Sequence, residues 1–274
     1  MIKFNNAIVS QNHFPDGTLR LLDFPTNVVE NENQIMWKYE NDAELFTVIC
    51  ITKHIKNNFP RVKVSLYVPF FPHSRMDRVK NIDEVFTLKY FCQVINDLGF
   101  DQVNILDPHS NVTPALLDRV SLMAVEPLIK RALDLCKADY VYFPDEGAMK
   151  RYGDMVDGKQ LLTGHKKRDW GTGKIVGLEI TGTEGQTFEE GHFMGCSVLM
   201  VDDIISYGGT LAYSADELKR LGFKHIYAYA THTENSILDE EKGTLLKRLN
   251  DGTVDMIYTT DSLYSGNHEK ITVL

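Results

Sequence analysis

Residues 198–211, VLMVDDIISYGGTL, run from a hydrophobic strand through two adjacent acids into a glycine pair and on into a helix. Leu211, Ala215, Leu218 and Leu221 follow at helical spacing, and Gly222 supplies the stop. The crossover should be right-handed. Ligands of open α/β sheets bind at the carboxyl ends of strands, where a helix opening behind glycines offers unpaired N–H groups and the positive end of its dipole to a phosphate. Asp202 and Asp203 are the wrong charge for phosphate, so their expected partners are sugar hydroxyls or a magnesium carried by the ligand. A bare GGT would read as a turn in which Asp203 merely caps the helix. The ordered series of strand, two acids, spacer, glycine pair and Thr210 favours a site instead. It is neither a GK[ST] phosphate loop nor a GxGxxG dinucleotide loop.

The alternation of short apolar runs with helix-patterned segments recurs along the chain, as in parallel sheets covered by helices. In the first half, residues 62–68 (VKVSLYV) and 103–106 (VNIL) read as strands, with helices near 43–57 and 85–98. In the second, 140–143, 197–201, 225–230 and 256–259 read as strands. The expected architecture is α/β, in two halves that are each a mainly parallel sheet flanked by helices. The junction is placed within 122–127, giving domains of 1–124 and 125–274. Residues 161–195 are rich in glycine, threonine and charge and lack a helical period, which predicts a β-hairpin flap.

With 274 residues, 43% of them hydrophobic, the chain can bury substantial cores. Its net charge of −9 argues against a nucleic-acid surface, so any phosphate must be gripped locally. Cys50, Cys92, Cys136 and Cys196 form no CxxC pair, which favours neither zinc nor disulfides. No signal-peptide core opens the chain and no stretch of about 18 apolar residues occurs. A cytoplasmic protein without membrane partners is the expectation.

At residues 198–211 the sequence resembles the phosphoribosyltransferase fold, and other segments narrow the resemblance to ribose-phosphate diphosphokinases. They are FPDGTLRL from Phe14, VPFFPHSRMDR from Val68, TLK from Thr87, ILDPHS from Ile105, FPDEGAMKR from Phe143, HKKR from His165 and IYAYATH from Ile226. That family moves the terminal diphosphate of ATP to the anomeric hydroxyl of ribose 5-phosphate and releases AMP, with magnesium. The resemblance implies an ATP side in the N-terminal domain and a ribose-phosphate side in the C-terminal one. It implies that Phe14, Asp16, Thr18, Arg75, Met76 and Arg78 serve ATP. Asp202 and Asp203 would hold ribose hydroxyls, while Ser206, Tyr207, Gly208, Gly209 and Thr210 wrap the 5-phosphate. His109 and Asp145 would place magnesium, and Lys166 and Arg168 would neutralise the diphosphate in flight. In the family the segment matching FPDGT completes a neighbour's ATP site, which implies a homo-oligomer.

Taken singly, each residue has an ordinary alternative: a loop histidine at His109, a turn acid at Asp145, a solvated basic run at residues 165–168, and a good turn at PDG. The sequence also departs from the family. Thr18 and Met76 stand where Glu and Gln are usual, Ser206 replaces an Asp, and Trp170 with two glycines replaces a proline-rich tract after Lys166. The stretch 79–86 is short, and the usual leading strand and helix and final helix are expected to be missing. Ser206 makes a larger acceptor, ADP-ribose, the second expectation after ribose 5-phosphate. The rival functions are a transferase that consumes phosphoribosyl diphosphate and a non-catalytic subunit of a synthetase.

Overall fold

The structure, a computed structural model, describes residues 1–168 and 175–274; for 166–168, 175 and 176 it describes the backbone alone. The described residues divide into two compact units, Met1–Ala124 and Val125–Leu274.

The first unit is built on strands β1 (Ile2–Phe4), β2 (Ala7–Ile8), β3 (Asn12–His13), β4 (Leu19–Arg20), β5 (Glu32–Trp37), β6 (Lys63–Val68), β7 (Gln102–Leu106) and β8 (Val120–Met123). Its helices are α1 (Glu44–Asn58), α2 (Thr87–Asp97) and α3 (Val112–Leu116). The main sheet has the order β2-β1-β5-β6-β7-β8, parallel from β5 onward, with β1 antiparallel to both its neighbours. Helix α1 presents Val48, Ile51 and Ile55 to the sheet, the i, i+3, i+7 spacing of one helical face. Trp37, Leu66 and Ile105 meet it from the strands, all fully buried.

The second unit contains α4 (Glu126–Cys136), β9 (Tyr140–Phe143), α5 (Glu146–Tyr152), β10 (Gln160–Arg168), β11 (Ile175–Gly182), β12 (Ser197–Ile205), α6 (Gly209–Arg220), β13 (His225–Thr233), α7 (Thr244–Asn250), β14 (Met256–Thr259) and β15 (Ile271–Val273). The sheet order is β11-β10-β9-β12-β13-β14-β15, parallel except for the β10–β11 pair. Its core gathers Tyr142, Met200, Leu211, Ala215, Leu218 and Ala228 between the sheet and α6. The α/β architecture and the hairpin of the second half are both present.

Three expectations change. Residues 2–4 do form a leading strand, because Ile2 and Phe4 are buried against β5 while Lys3 points outward. Strand β5 escaped the sequence because ENQIMW looks polar. Its inward face nevertheless includes Asn33, whose amide bonds the carbonyls of Glu30 (2.8 Å) and Lys63 (3.1 Å). Finally, β12 does not stop at Val201. Pairing with β13 continues through Asp202↔Ala230, Ile204↔His232 and Ile205↔Thr233, so both acids are strand residues. The departure at Trp170 and its glycines lies outside the described residues.

The four cysteines are free, and burial pushes the Cys92 thiol up to about 12. Among the described residues no helix is long and apolar enough to cross a membrane.

Candidate functional site

In the second unit, β9 and β12 are neighbours, and the chain leaves them in opposite directions. From β9 it passes through α5 to β10 on one side, and from β12 through α6 to β13 on the other. The carboxyl ends of two strands whose connections diverge leave a crevice, which is where open α/β sheets take ligands. Asp145 follows β9 and Asp202 lies near the end of β12, so both reach this point.

Because a strand's side chains alternate, Asp202 and Asp203 cannot act on the same face. Asp202 shares the face of Val198 and Met200, which pack against α6. Asp203 turns to α5, where its carboxylate lies 3.9 Å from Arg151. The Asp203 N–H donates to Asp202 Oδ1 at 2.9 Å, fixing the first carboxylate against the backbone of the second residue. Loss of solvent, and then the adjacent negative charge of Asp203, push the Asp202 carboxyl well above its ordinary value, and Asp145 adds to the effect. Excess negative charge of this kind is what a cation or a hydroxyl donor relieves.

Gly208 takes φ +79°, a left-handed value that L side chains rarely adopt, and a Cβ there would collide with Leu245 on α7. The Tyr207 carbonyl accepts from the N–H groups of Thr244 (2.9 Å) and Leu245 (3.2 Å) and from the Thr244 hydroxyl (2.9 Å). The loop therefore caps α7 while its own glycines open α6. Gly209 and Thr210 begin α6, and the Thr210 carbonyl accepts from Ser214, whose hydroxyl also meets Tyr142 Oη at 2.9 Å. Ser206 Oγ lies 3.2 Å from Ser236 Oγ, and Ser236 donates to Glu234 at 3.0 Å. Sequence reasoning missed Glu234 and Ser236. They sit just past the carboxyl end of β13, a position the strand-end rule could have flagged but local spacing could not.

Asp145 also caps α5, its Oδ1 accepting from the Ala148 N–H at 3.0 Å. The turn-acid alternative is thus realised, without excluding a second role. Strand β10 pairs with β9 through Thr163 and then continues as the arm of the hairpin with β11. Lys166 and Arg168 lie on that arm, and their side chains are outside the described residues. At its base His165 Nε2 meets Thr181 Oγ1 at 2.9 Å and Nδ1 lies 3.7 Å from Glu146.

In the first unit, Phe14, Asp16 and Thr18 form the tip joining β3 to β4. Asp16 accepts from the Thr18 hydroxyl (2.7 Å) and N–H (3.0 Å), and the Thr18 hydroxyl, ahead of the N–H, holds the carboxyl below its ordinary value. Phe14 is 48% exposed, with Arg20 over its ring. Asp77 is fixed by Arg78 at 2.7 Å and then by Ser110, which lowers its pKa, and His109 adds to this. The SRMDR and DPHS segments are therefore together. Arg75 is exposed and Met76 partly so.

No family model matches the chain. The chain is 23% identical to the ribose-phosphate pyrophosphokinase of Saccharolobus solfataricus over 239 residues, which covers 85% of this chain and 77% of that protein. It is 28% identical to the enzyme of that name from Thermococcus kodakarensis over 173 residues, covering 62% of this chain and 58% of that one. Among solved structures, it superimposes on phosphoribosylpyrophosphate synthetase from Mycobacterium smegmatis with a TM-score of 0.75 at 20% identity, covering 98% of this chain and 86% of the other.

Proposed function

We infer that this chain belongs to the ribose-phosphate diphosphokinase family, on its phosphoribosyltransferase-type fold, and that it transfers the diphosphate of ATP to the anomeric hydroxyl of ribose 5-phosphate. The observation that carries this is the acid pair and left-handed Gly208 at the strand switch point, in a chain of which relatives of that name match between 62% and 85%. The sugar oxygen attacks the β-phosphorus, the bond from that phosphorus to the AMP oxygen breaks, and the hydroxyl proton is lost to solvent. The products are phosphoribosyl diphosphate and AMP.

Such transfers need positioning and charge stabilisation more than covalent chemistry. The glycine loop from Ser206 to Thr210 grips the 5-phosphate end through its N–H groups. Asp202 orients ribose hydroxyls, and Asp203 anchors it from the neighbouring strand position. On the hairpin arm, Lys166 and Arg168 bring positive charge to the diphosphate. Phe14, Asp16, Thr18, Arg75, Met76 and Arg78 serve the nucleotide, and a homo-oligomer with Phe14 and Asp16 acting in a neighbouring subunit fits the exposed tip.

The residues present suit a magnesium ion. Surplus negative charge gathers around Asp202, yet no group of three or more His, Cys, Asp or Glu side chains forms a metal cage among the described residues. A hard dication carried by the substrate phosphates needs only one or two protein ligands; Asp145 would supply one in the second unit, as His109 would in the first. When bound it neutralises charge on the transferring phosphates.

The test is incubation with magnesium, ATP and either ribose 5-phosphate or ADP-ribose, with chromatography for AMP. AMP release with ribose 5-phosphate is expected. Its absence with every ribose phosphate would sink the kinase assignment. A transferase consuming phosphoribosyl diphosphate would need one such unit, and this chain has two.

A further inference from the structure

The hydrogens in the chain Ser206, Ser236, Glu234 can be placed by counting. A hydroxyl has one hydrogen to give, and a carboxylate only accepts. Ser236 gives its hydrogen to Glu234 Oε2 at 3.0 Å. Its contact with Ser206 Oγ at 3.2 Å must then be made with Ser206 as the donor. Ser206, partly exposed at the start of the loop, has thereby spent its only hydrogen inside the protein and has lone pairs alone left to offer a ligand. Lone pairs repel a phosphate oxygen and accept from a hydroxyl. The segment that supplies this polarity is held in place independently. The Glu234 N–H donates to the Ile205 carbonyl at 2.8 Å, and Asn235 and Ser265 exchange bonds of 2.8 and 3.0 Å.

We propose that Glu234 is a specificity-determining residue that acts through Ser236 to make Ser206 an acceptor for a sugar hydroxyl, leaving the phosphate to the N–H groups of the following glycines. The proposal rests on the ribose-phosphate assignment of the loop, and it moves Ser206 from the phosphate to the sugar. Glu234 touches no substrate; it is a positioning residue. Its amide counterpart can donate as well as accept, so the direction of the chain is no longer imposed in Glu234→Gln.

The test is calorimetric binding of ribose 5-phosphate, its 2-deoxy and 3-deoxy analogues, and ATP to the full chain and its variants. Glu234→Gln should weaken ribose 5-phosphate about tenfold, the worth of one oriented hydrogen bond, and leave ATP unchanged. Preference for ribose 5-phosphate over one of the two deoxy analogues should collapse with it. Ser206→Ala should do the same, and the double variant should be no worse than Ser206→Ala, since both remove one interaction. Ser206→Asp, which presents an acceptor without the relay, should restore binding in the Glu234→Gln background. Unchanged sugar affinity in Glu234→Gln, additive losses in the double variant, or equal weakening of both deoxy analogues would overturn the proposal. Binding is read without turnover, so an enzyme that binds the sugar but releases no AMP would refute the kinase reaction and leave this comparison intact.

Discussion

Gly208 sits so close to Leu245 that a Cβ built on it would overlap that of the leucine, and the leucine is itself fully buried. The start of α6 and the first turn of α7 are thus packed backbone to side chain. Gly208→Ala carries two costs, the left-handed backbone and the overlap, together about 3 kcal/mol. Denaturant unfolding should show that loss, and the sum of the Gly208→Ala and Leu245→Gly losses should exceed that of the double variant, because only glycine at 245 removes the Cβ that is overlapped.

Asp202 is expected to trade stability for function. Its folded pKa is raised, so its favourable contribution is fully present below the unfolded value of 3.8 and is lost as pH rises through the folded one. Asp202→Asn should therefore melt above the native chain near neutrality, by roughly 2–4 °C for each kcal/mol gained. The difference should vanish in acid below 3.8. The same variant should bind ribose 5-phosphate poorly. Melting curves across pH check the first outcome and calorimetry the second.

Glu44 shows the opposite sign. Burial works to raise its pKa, but the Met1 ammonium (2.7 Å), the Trp37 indole N–H (2.8 Å) and the Glu40 N–H (2.8 Å) together hold it below the usual value. Its stabilisation is present above the unfolded value of 4.5 and lost as pH falls through the lower folded one. Glu44→Ala strands the buried indole donor and should cost about 2–3 kcal/mol at neutral pH. The gap to the native chain should narrow in acid.

Lys166→Ala should reduce turnover on the order of 10²–10³-fold, typical of losing one preorganised charge at a transition state, with ribose 5-phosphate affinity retained. Kinetics beside calorimetry would separate the two. Equal turnover in the variant would show that the hairpin cation is a solvated surface charge.

If Phe14 and Asp16 act in a neighbouring subunit, Asp16→Ala and Lys166→Ala proteins, each inactive alone, should regain activity when mixed and allowed to exchange subunits. Continued inactivity of a demonstrated mixed oligomer would rule out that sharing.

Much of this was legible in the sequence for a physical reason. The strands at 140–143 and 256–259 are apolar runs that are mostly buried, the strand at 62–68 buries alternate apolar residues, and α6 declares itself through its apolar spacing and closing glycine. Asp202 and Asp203 were found as a pair, but not their separation onto opposite faces. That depends on how far β13 keeps pairing with β12, a long-range matter that DD cannot encode. Strand β5 was hidden because Asn33 satisfies its amide with backbone carbonyls, so a polar letter occupies a core position. The partnership of Ser206 with Ser236 and Glu234 spans 30 residues and exists only once β12 and β13 lie side by side.

The hairpin is rooted differently from an ordinary surface loop. Strand β10 is hydrogen-bonded to β9 through Thr163 before it becomes the arm, and a Cβ on Gly164 would collide with the Tyr142 hydroxyl just beneath. Mechanically the arm is a cantilever clamped in the sheet, so any swing must begin beyond Gly164. The clamp also joins the arm to the crevice, because Tyr142 is bonded to Ser214 on α6. A larger residue at 164 would lift the fulcrum and displace the backbone of the arm beyond it as one piece.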